Sequence, residues 1–450
     1  MTSPRSTGEL LQRTQHRLMP DASRTLCRLF VPGDETLIRG ESRAMAVIDR
    51  ILGQSEPDVE RALARTMDRF SDGYRDLAQT LEHHFGLVAH LLGAEIEVGS
   101  ARRRLIGAYF SQEYALEAAA LFNPSIVAHP DQTGCQPAEA RFIMSLRAVG
   151  EGHLSSIEFR TGTIAGDGEI RFDPAGRFLD TGRVRPVTYD RILSSNYVVE
   201  FDDGIDLSER VLWPVAPAES RGMEDARFVR FTDGADPMYY ATYTAFDGSQ
   251  VAPQLLATSD FRTFTISPLS GPSARNKGMA LFPRRIAGRY AALSRWDAES
   301  NAIGYSTDRH HWAEATTVQA PTRTWDLIQL GNCGSPIETP EGWLVFTHGV
   351  GPMREYAIGA MLLDLHEPEH VIGALTEPLL LAEGSERDGY VPNVVYSCGS
   401  MQHGEQIVLP YGCSDSSVRI ATVDLSLLLE RLLPGTLSVR ASSHGDPVRA

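Results

Sequence analysis

Ala257-Thr258-Ser259-Asp260-Phe261 and Tyr305-Ser306-Thr307-Asp308-Arg309 follow one pattern: two hydroxyl residues, an aspartate, and shortly afterwards an aromatic residue, Phe264 or Trp312. Asp260 and Asp308 lie about 48 residues apart, within the roughly 40–50 residues that one four-stranded propeller blade takes. Around them the chain is built of short β-rich runs: Phe142-Ile143-Met144-Ser145-Leu146, Phe228-Val229-Arg230-Phe231, Tyr239-Tyr240-Ala241-Thr242-Tyr243, Trp343-Leu344-Val345-Phe346 and Gln406-Ile407-Val408-Leu409, punctuated by Gly and Pro. Many short strands at regular intervals predict a sandwich, a barrel or a propeller, and the repeat favours the propeller.

Upstream of residue 120 the period changes. Ser55 is placed to cap a helix whose first turn holds Glu56, Pro57 and Asp58, all suited to that end. Val59, Leu63, Met67 and Phe70 follow at helical spacing. Leu77, Leu81, Phe85, Val88 and Leu92 form a second stripe ending at Gly93, and a third helix is expected from about Ala101 to Leu121. It should stop before Asn123-Pro124, because proline disfavours helical geometry in the residue before it. The expected organisation is an α-helical N-terminal extension (1–120), a mainly β propeller (121–434) and a flexible tail (435–450). The helical stripes must bury against the second half or another subunit, which makes a homo-oligomer plausible. His83 and His84 read as helix-surface residues.

A formal net charge of −16 over 450 residues argues against nucleic acid and anionic membrane as partners. An anion would need a local cluster of Arg and Lys. The five cysteines are odd in number, dispersed and without a CxxC pair, as expected for free thiols in a reducing cytoplasm. Residues 1–20 are polar, and no apolar run approaches the ~18 residues needed to span a bilayer. The expected location is therefore cytoplasmic. Neither GxxxxGK[ST] nor a GxGxxG helix signals a nucleotide cofactor.

The densest chemistry begins at Arg221-Gly222-Met223-Glu224-Asp225-Ala226-Arg227-Phe228, two adjacent acids flanked by arginines before a strand. Neighbours in a strand point to opposite faces, so simple alternation cannot put both Glu224 and Asp225 into one pocket. Arg147, Lys277, Arg295, His348 and Asp415 sit in similar Gly-rich settings. Each is an ordinary surface residue unless they converge.

Here the chain resembles glycoside hydrolase family 130, the β-mannoside phosphorylases and related β-mannosidases. Gly222-Met223-Glu224-Asp225-Ala226-Arg227 is similar to that family's Gly-x-Glu-Asp-Pro-Arg motif, and Tyr239 to Gly248 to its Tyr-Tyr-x-Thr-Tyr-Thr-Ala-Tyr-Asp-Gly run. Ala280-Leu281-Phe282-Pro283, Gly342-Trp343-Leu344, His348-Gly349-Val350, Leu362-Leu363-Asp364-Leu365, Asn393-Val394-Val395 and Tyr411-Gly412 continue the series in order. The resemblance spans roughly residues 120 to 430 and implies a five-bladed β-propeller with its site at the central channel. It implies Asp225 as the catalytic proton donor, acting through a mannose hydroxyl. Arg147, Lys277, Arg295 and His348 are implied to hold phosphate, and Asn123, Asp415, Arg227, Tyr243 and Asp247 to contact sugar. Two departures stand out. Ala226 replaces the motif proline, and Gln329 stands where many of these phosphorylases carry a phosphate-binding lysine.

An inverting glycosidase needs a second carboxylate to activate water, whereas phosphate is already an anion and needs only to be held in line. One acid beside a basic cluster is the phosphorylase signature. The expected reaction is inverting phosphorolysis of β-mannosides, leaning to β-1,2 linkages, to α-mannose 1-phosphate. Inorganic phosphate is the co-substrate, with no cofactor and no metal. The alternative is a β-mannosidase using water, for which Glu338, Glu341 and Glu383 are available acids. A mannoside lectin would keep Asn123, Asp415 and platforms such as Trp296, but would not need Asp225 beside cations. His366-Glu367-Pro368-Glu369-His370 matches H-E-x-x-H in letters, yet Pro368 opposes the helix that zinc ligation needs. His310-His311-Trp312 reads as a blade turn, and Asp131-Gln132-Thr133-Gly134 as a loop insertion.

Overall fold

Both copies of the hydroxyl-aspartate pattern form the same turn. Thr258 Oγ1 accepts the amide of Phe261, and Ser306 Oγ that of Arg309, each at 2.9 Å. Asp260 accepts the amides of Arg262 and Thr263, and Asp308 those of His310 and His311. The residue after each aspartate is left-handed, with φ of 54° at Phe261 and 73° at Arg309. Phe264 and Trp312 are fully buried. The repeat is therefore a structural one, fixed by side chains that supply the turn's missing acceptors.

The computed structural model describes residues 9–34, 37, 42–92, 96–186, 196–233 and 237–433. The tail expected at 435–450 lies outside the described residues. Contacts divide the chain into two units, one of residues 21–118 and 176–180, the other of 1–20, 119–175 and 181–450.

The larger unit is mainly β, and all five β-rich runs are strands within it. Successive strands pair antiparallel in sets of four. Ala120–Ala128, Ala140–Val149, Ser155–Ile164 and Ile170–Phe172 form the first. Gly222–Phe231, Met238–Phe246, Val251–Thr258 and Thr263–Pro268 form the second. The third is Ala280–Leu281, Tyr290–Ser294, Asn301–Ser306 and Thr316–Gln319. The fourth is Gln329–Asn332, Gly342–Val350, Tyr356–Leu363 and Val371–Ala374. The last set takes Val395–Tyr396, Gln406–Cys413 and Ser417–Asp424, and its fourth strand comes from the opposite end of the chain: Leu11–Leu18 pairs with Ser417–Asp424. This corrects the assignment of residues 1–120 to a helical extension, since an edge strand exposes donors and acceptors that a distant segment can satisfy. Aromatic packing joins the first set to the second, where Phe159 of the first meets Phe228, Phe261 and Phe264 of the second, with ring-centroid distances of 5.5–6.1 Å in the cluster.

The smaller unit carries α-helices Arg43–Leu52, Glu56–Phe70, Leu77–Val88 and Ser100–Tyr109. Ser55 caps the second as read from sequence, accepting from the Asp58 amide. The fourth helix does not run to Leu121. It ends at Tyr109, and Ser111–Ala115 pairs as a strand with Thr25–Leu29. Beyond Phe110 the spacing no longer supports a helix: Tyr114 is buried while Glu113 is exposed. Asn123-Pro124 accordingly ends no helix but lies within a strand. His84 is buried and not on the surface, with Nδ1 2.6 Å from Ser111 Oγ. Burial lowers its pKa to about 4. Residues 366–370 form a turn whose amides of His366 and Glu367 are held by Asp364, not a helix.

Candidate active site

Two bulges set the site. Phe122 pairs with Arg147 and Ser125 with Ser145, so Asn123 and Pro124 stand opposite a single residue. Glu224 pairs with Thr244 and Arg227 with Thr242, so Asp225 and Ala226 likewise share one partner position. Each bulge turns its polar residue left-handed, with φ of 48° at Asn123 and 56° at Asp225. A bulge breaks strict alternation. That is why Glu224 and Asp225, expected on opposite faces, both reach Arg147: NH2 donates to Glu224 Oε1 at 2.7 Å and NH1 to Asp225 Oδ1 at 3.4 Å. Asn123 Nδ2 donates to the same Asp225 oxygen at 2.7 Å. Among the described residues Asp225 Oδ2 has no hydrogen-bond partner.

Asn123, Arg147 and Asp225 line a cavity of about 330 Å³ together with Lys277, Arg295, His348 and Asp415. Seven of the ten residues singled out from sequence therefore converge. Lys277 Nζ donates to Glu224 Oε2 at 2.5 Å. Arg295 donates through Nε to the Leu330 carbonyl at 3.0 Å and through NH2 to that of Ala298 at 2.8 Å. It packs with His348 over Gly331, where a Cβ would lie 2.4 Å from Arg295 Cδ and 2.5 Å from His348 Cε1. Only glycine lets both side chains reach the wall. Asp415, with φ of 49°, sits in the tight loop between Gln406–Cys413 and Ser417–Asp424.

The other three do not line this cavity. Arg227 is buried beneath it, donating to Asn332 and, at 2.6 Å, to the Tyr396 hydroxyl. Tyr243 is inside the second strand set, where its hydroxyl donates to Glu219 Oε1. Asp247 orders a hairpin turn by accepting the amides of Ser249 and Gln250. A matching run of letters had grouped these with sugar contacts, but each has a structural partner that accounts for it. Conversely, sequence reasoning passed over Glu224 as counter-ion to two cations, and Asn276, Arg354, Tyr356 and Tyr396 as lining. Arg354 and Tyr356 follow His348 closely through Gly351-Pro352, a turn signal that places them near the same strand end.

Burial pushes the Asp225 carboxyl up, but Arg147, Lys277, Arg227 and the Asn123 amide together hold it below the usual carboxylate range. Asp415 goes the other way. Burial and the Asp225 charge push it up to about 6, against the pull of Arg147 and Arg354. Burial, then Arg295 and Arg227, keep His348 well below the ordinary imidazole value, so it enters as a neutral ring. A raised carboxyl is stabilising while protonated, and that contribution is lost as pH rises through its folded value. Asp415→Asn, which tolerates left-handed φ, should therefore gain stability over the parent between about pH 4.5 and about pH 7.5, by about 2 kcal/mol. Urea unfolding at both ends checks this; a pH-independent difference would show that the carboxyl is unperturbed.

The family model for glycoside hydrolase 130, described as beta-1,4-mannooligosaccharide phosphorylase, matches residues 198–432. The chain belongs to this family. Its matched span includes Asp225, Lys277, Arg295, His348 and Asp415, while Asn123 and Arg147 precede it. A 1,2-beta-oligomannan phosphorylase of Thermoanaerobacter sp. (strain X514) is 35% identical over 239 residues, 50% of this chain and 76% of that protein. A beta-1,2-mannobiose phosphorylase of Listeria innocua is 30% identical over 234 residues, 49% of this chain and 63% of its own. The solved structure of the beta-1,2-mannobiose phosphorylase from Listeria innocua, in complex with beta-1,2-mannobiose, aligns with a TM-score of 0.51 at 21% identity, over 70% of this chain and 92% of that one. At that identity the family member supports the fold alone. Among the described residues no helix is long and apolar enough to cross a membrane.

Proposed function

We propose that this protein cleaves β-mannosides by inverting phosphorolysis, with β-1,2-linked mannosides as its substrates. Asp225 would be the proton donor, Arg147, Lys277, Arg295 and His348 would hold phosphate, and Asn123 and Asp415 would orient the mannosyl unit. The observation that carries the reading is Asp225, with one oxygen open, inside a cavity whose other charged lining is four cations, Arg147, Lys277, Arg295 and Arg354, and one carboxylate, Asp415. None of the acids named for a hydrolase lines the cavity: Glu338 is paired with Arg284, Glu383, largely exposed, is paired with Arg13, and Glu341 also lies outside the lining. The named relatives, phosphorylases acting on β-1,2-mannosides, point the same way.

In the reaction a phosphate oxygen bonds to the anomeric carbon as the glycosidic C–O bond breaks from the opposite face. The leaving oxygen keeps the bonding pair and takes the proton of a mannose hydroxyl, which Asp225 reprotonates, and the sugar departs as α-mannose 1-phosphate. Asp225 is ionised in the free protein and must be loaded first. Phosphate arriving beside Arg147 and Lys277 offsets the charges that depress it and raises its proton affinity. The acid is thereby readied when the nucleophile is in place.

We also read the five strand sets as five blades of a propeller around this cavity. Asn123 and Arg147 come from the first set and Asp225 from the second. Lys277 and Arg295 flank strands of the third, His348 and Tyr356 belong to the fourth, and Tyr396 and Asp415 to the last. A central channel is the place where one residue from every set can meet.

Incubation with β-1,2- and β-1,4-mannobiose, with and without phosphate, tests the function. Mannose 1-phosphate formed only when phosphate is present, fastest from the β-1,2 disaccharide, is expected. Free mannose released at an unchanged rate without phosphate would make it a hydrolase.

A further inference from the structure

Four cations line the cavity, and they differ in what already holds them. Arg147 and Lys277 share Glu224, and Arg147 also engages Asp225. Arg295 meets only carbonyl oxygens. Arg354 is exposed and, among the described residues, has neither hydrogen bond nor ion pair. A phosphate dianion entering this site meets two cations whose charge is already partly offset, so the unneutralised pair must supply most of the attraction.

Arg354 is placed to be one of that pair. It ends the three-residue turn Pro352–Arg354 that joins Gly342–Val350 to Tyr356–Leu363. Val350 pairs with both Tyr356 and Gln329, so the turn rises directly from the end of the wall that holds Gln329 and Tyr356. That wall is neutral: Gln329 Nε2 donates to the Tyr356 hydroxyl at 3.4 Å. On its other side the Tyr356 amide bonds to the Asn393 carbonyl, and the Val391 amide to that of Ser414, beside Asp415. The turn also contains two successive left-handed residues, Met353 at φ 59° and Arg354 at φ 58°. Neither is glycine, and each such residue costs roughly 1–2 kcal/mol. Met353 is 92% exposed and buries nothing in return. The matching turn of the first set has the same pair, Gly152 at φ 69° and His153 at φ 57°, so this backbone belongs to the hairpin; what sets Arg354 apart is that it lines the cavity.

We propose that Arg354 binds the phosphate co-substrate from the rim, its planar fork taking two phosphate oxygens over the neutral Gln329 wall. This deepens the phosphorolysis reading and rests on it for the identity of the anion. The alternative use of Arg354, pairing with Asp415 or with the sugar, would appear in the mannoside kinetics instead.

The test is Arg354→Ala and Arg354→Lys in the full chain, read by calorimetric titration with inorganic phosphate and by phosphorolysis with each substrate varied separately. Losing a bidentate charge-assisted contact should weaken phosphate binding and raise its KM by at least about tenfold. The Lys variant should recover part of this, and the mannoside KM should stay within about twofold. Unfolding midpoints should stay close to the parent's, because the side chain loses no hydrogen bond or ion pair, only its longer-range pull on the Asp415 charge. Equal phosphate affinity in parent and Ala variant overturns the proposal, as does a parent that binds no phosphate or a mannoside KM that rises as much as that of phosphate. Intact, Arg354-dependent phosphate binding without mannose 1-phosphate formation would overturn the phosphorolysis reading alone.

Discussion

Asp225→Asn is expected to lower kcat for phosphorolysis of β-mannobiose by about 10²–10⁴-fold while leaving the protein folded. Asparagine has the same shape and tolerates the left-handed backbone that Asp225 adopts at φ 56°. Its carbonyl oxygen can still accept from Asn123 Nδ2 and Arg147, the two groups that fix the aspartate now. What it lacks is a proton for the departing oxygen. The loss should therefore depend on the leaving group. An aryl mannoside whose phenol leaves without protonation should lose far less than the disaccharide, since its transition state asks little of an acid. The ratio between the two substrates is the measurement. Equal losses on both would make Asp225 a residue that positions the sugar or its cations, and the acid would have to be sought elsewhere, with Asp415 the first candidate because it retains its proton up to about pH 6.

What the sequence made legible was local. The turn at Thr258-Ser259-Asp260 and its copy at Ser306-Thr307-Asp308 are each closed by side chains within three residues, so pattern and structure coincide. The Ser55 cap is likewise local. What escaped was non-local or irregular. No period in Leu11–Leu18 announces that it will pair with a strand some four hundred residues away. The two bulges defeat alternation at the positions that matter most. Pro124, taken as the end of a helix, instead lies in a bulge, where a missing amide hydrogen leaves no gap in the ladder. Tyr243 and Asp247 were grouped with the site because they belong to a run that resembles the family, but proximity in sequence to Asp225 did not carry them into the cavity. Their partners, Glu219 and the amides of a hairpin, could be recognised only once the chain was folded.

Glu224→Gln should destabilise the protein by about 3 kcal/mol and, more tellingly, make its stability depend on phosphate. The Glu224 side chain is only 7% exposed, and its two oxygens hold different cations, Arg147 and Lys277. Glutamine keeps the volume and one acceptor but turns an amide NH2 toward a cation, so Arg147 is left with Asp225 alone. Lys277, 41% exposed at its side chain, can relax into water, which keeps the cost near the lower end for a broken buried pair. The same substitution removes the carboxylate that competes with any incoming anion for these two cations. Phosphate should then bind the variant more tightly than the parent and stabilise it more, because a ligand shifts unfolding by RT ln(1 + [L]/Kd). Urea unfolding of both proteins with and without phosphate measures the difference. A variant that is less stable yet no more responsive to phosphate than the parent would mean that Arg147 and Lys277 only brace Glu224, and that the anion site rests on Arg295 and the rim.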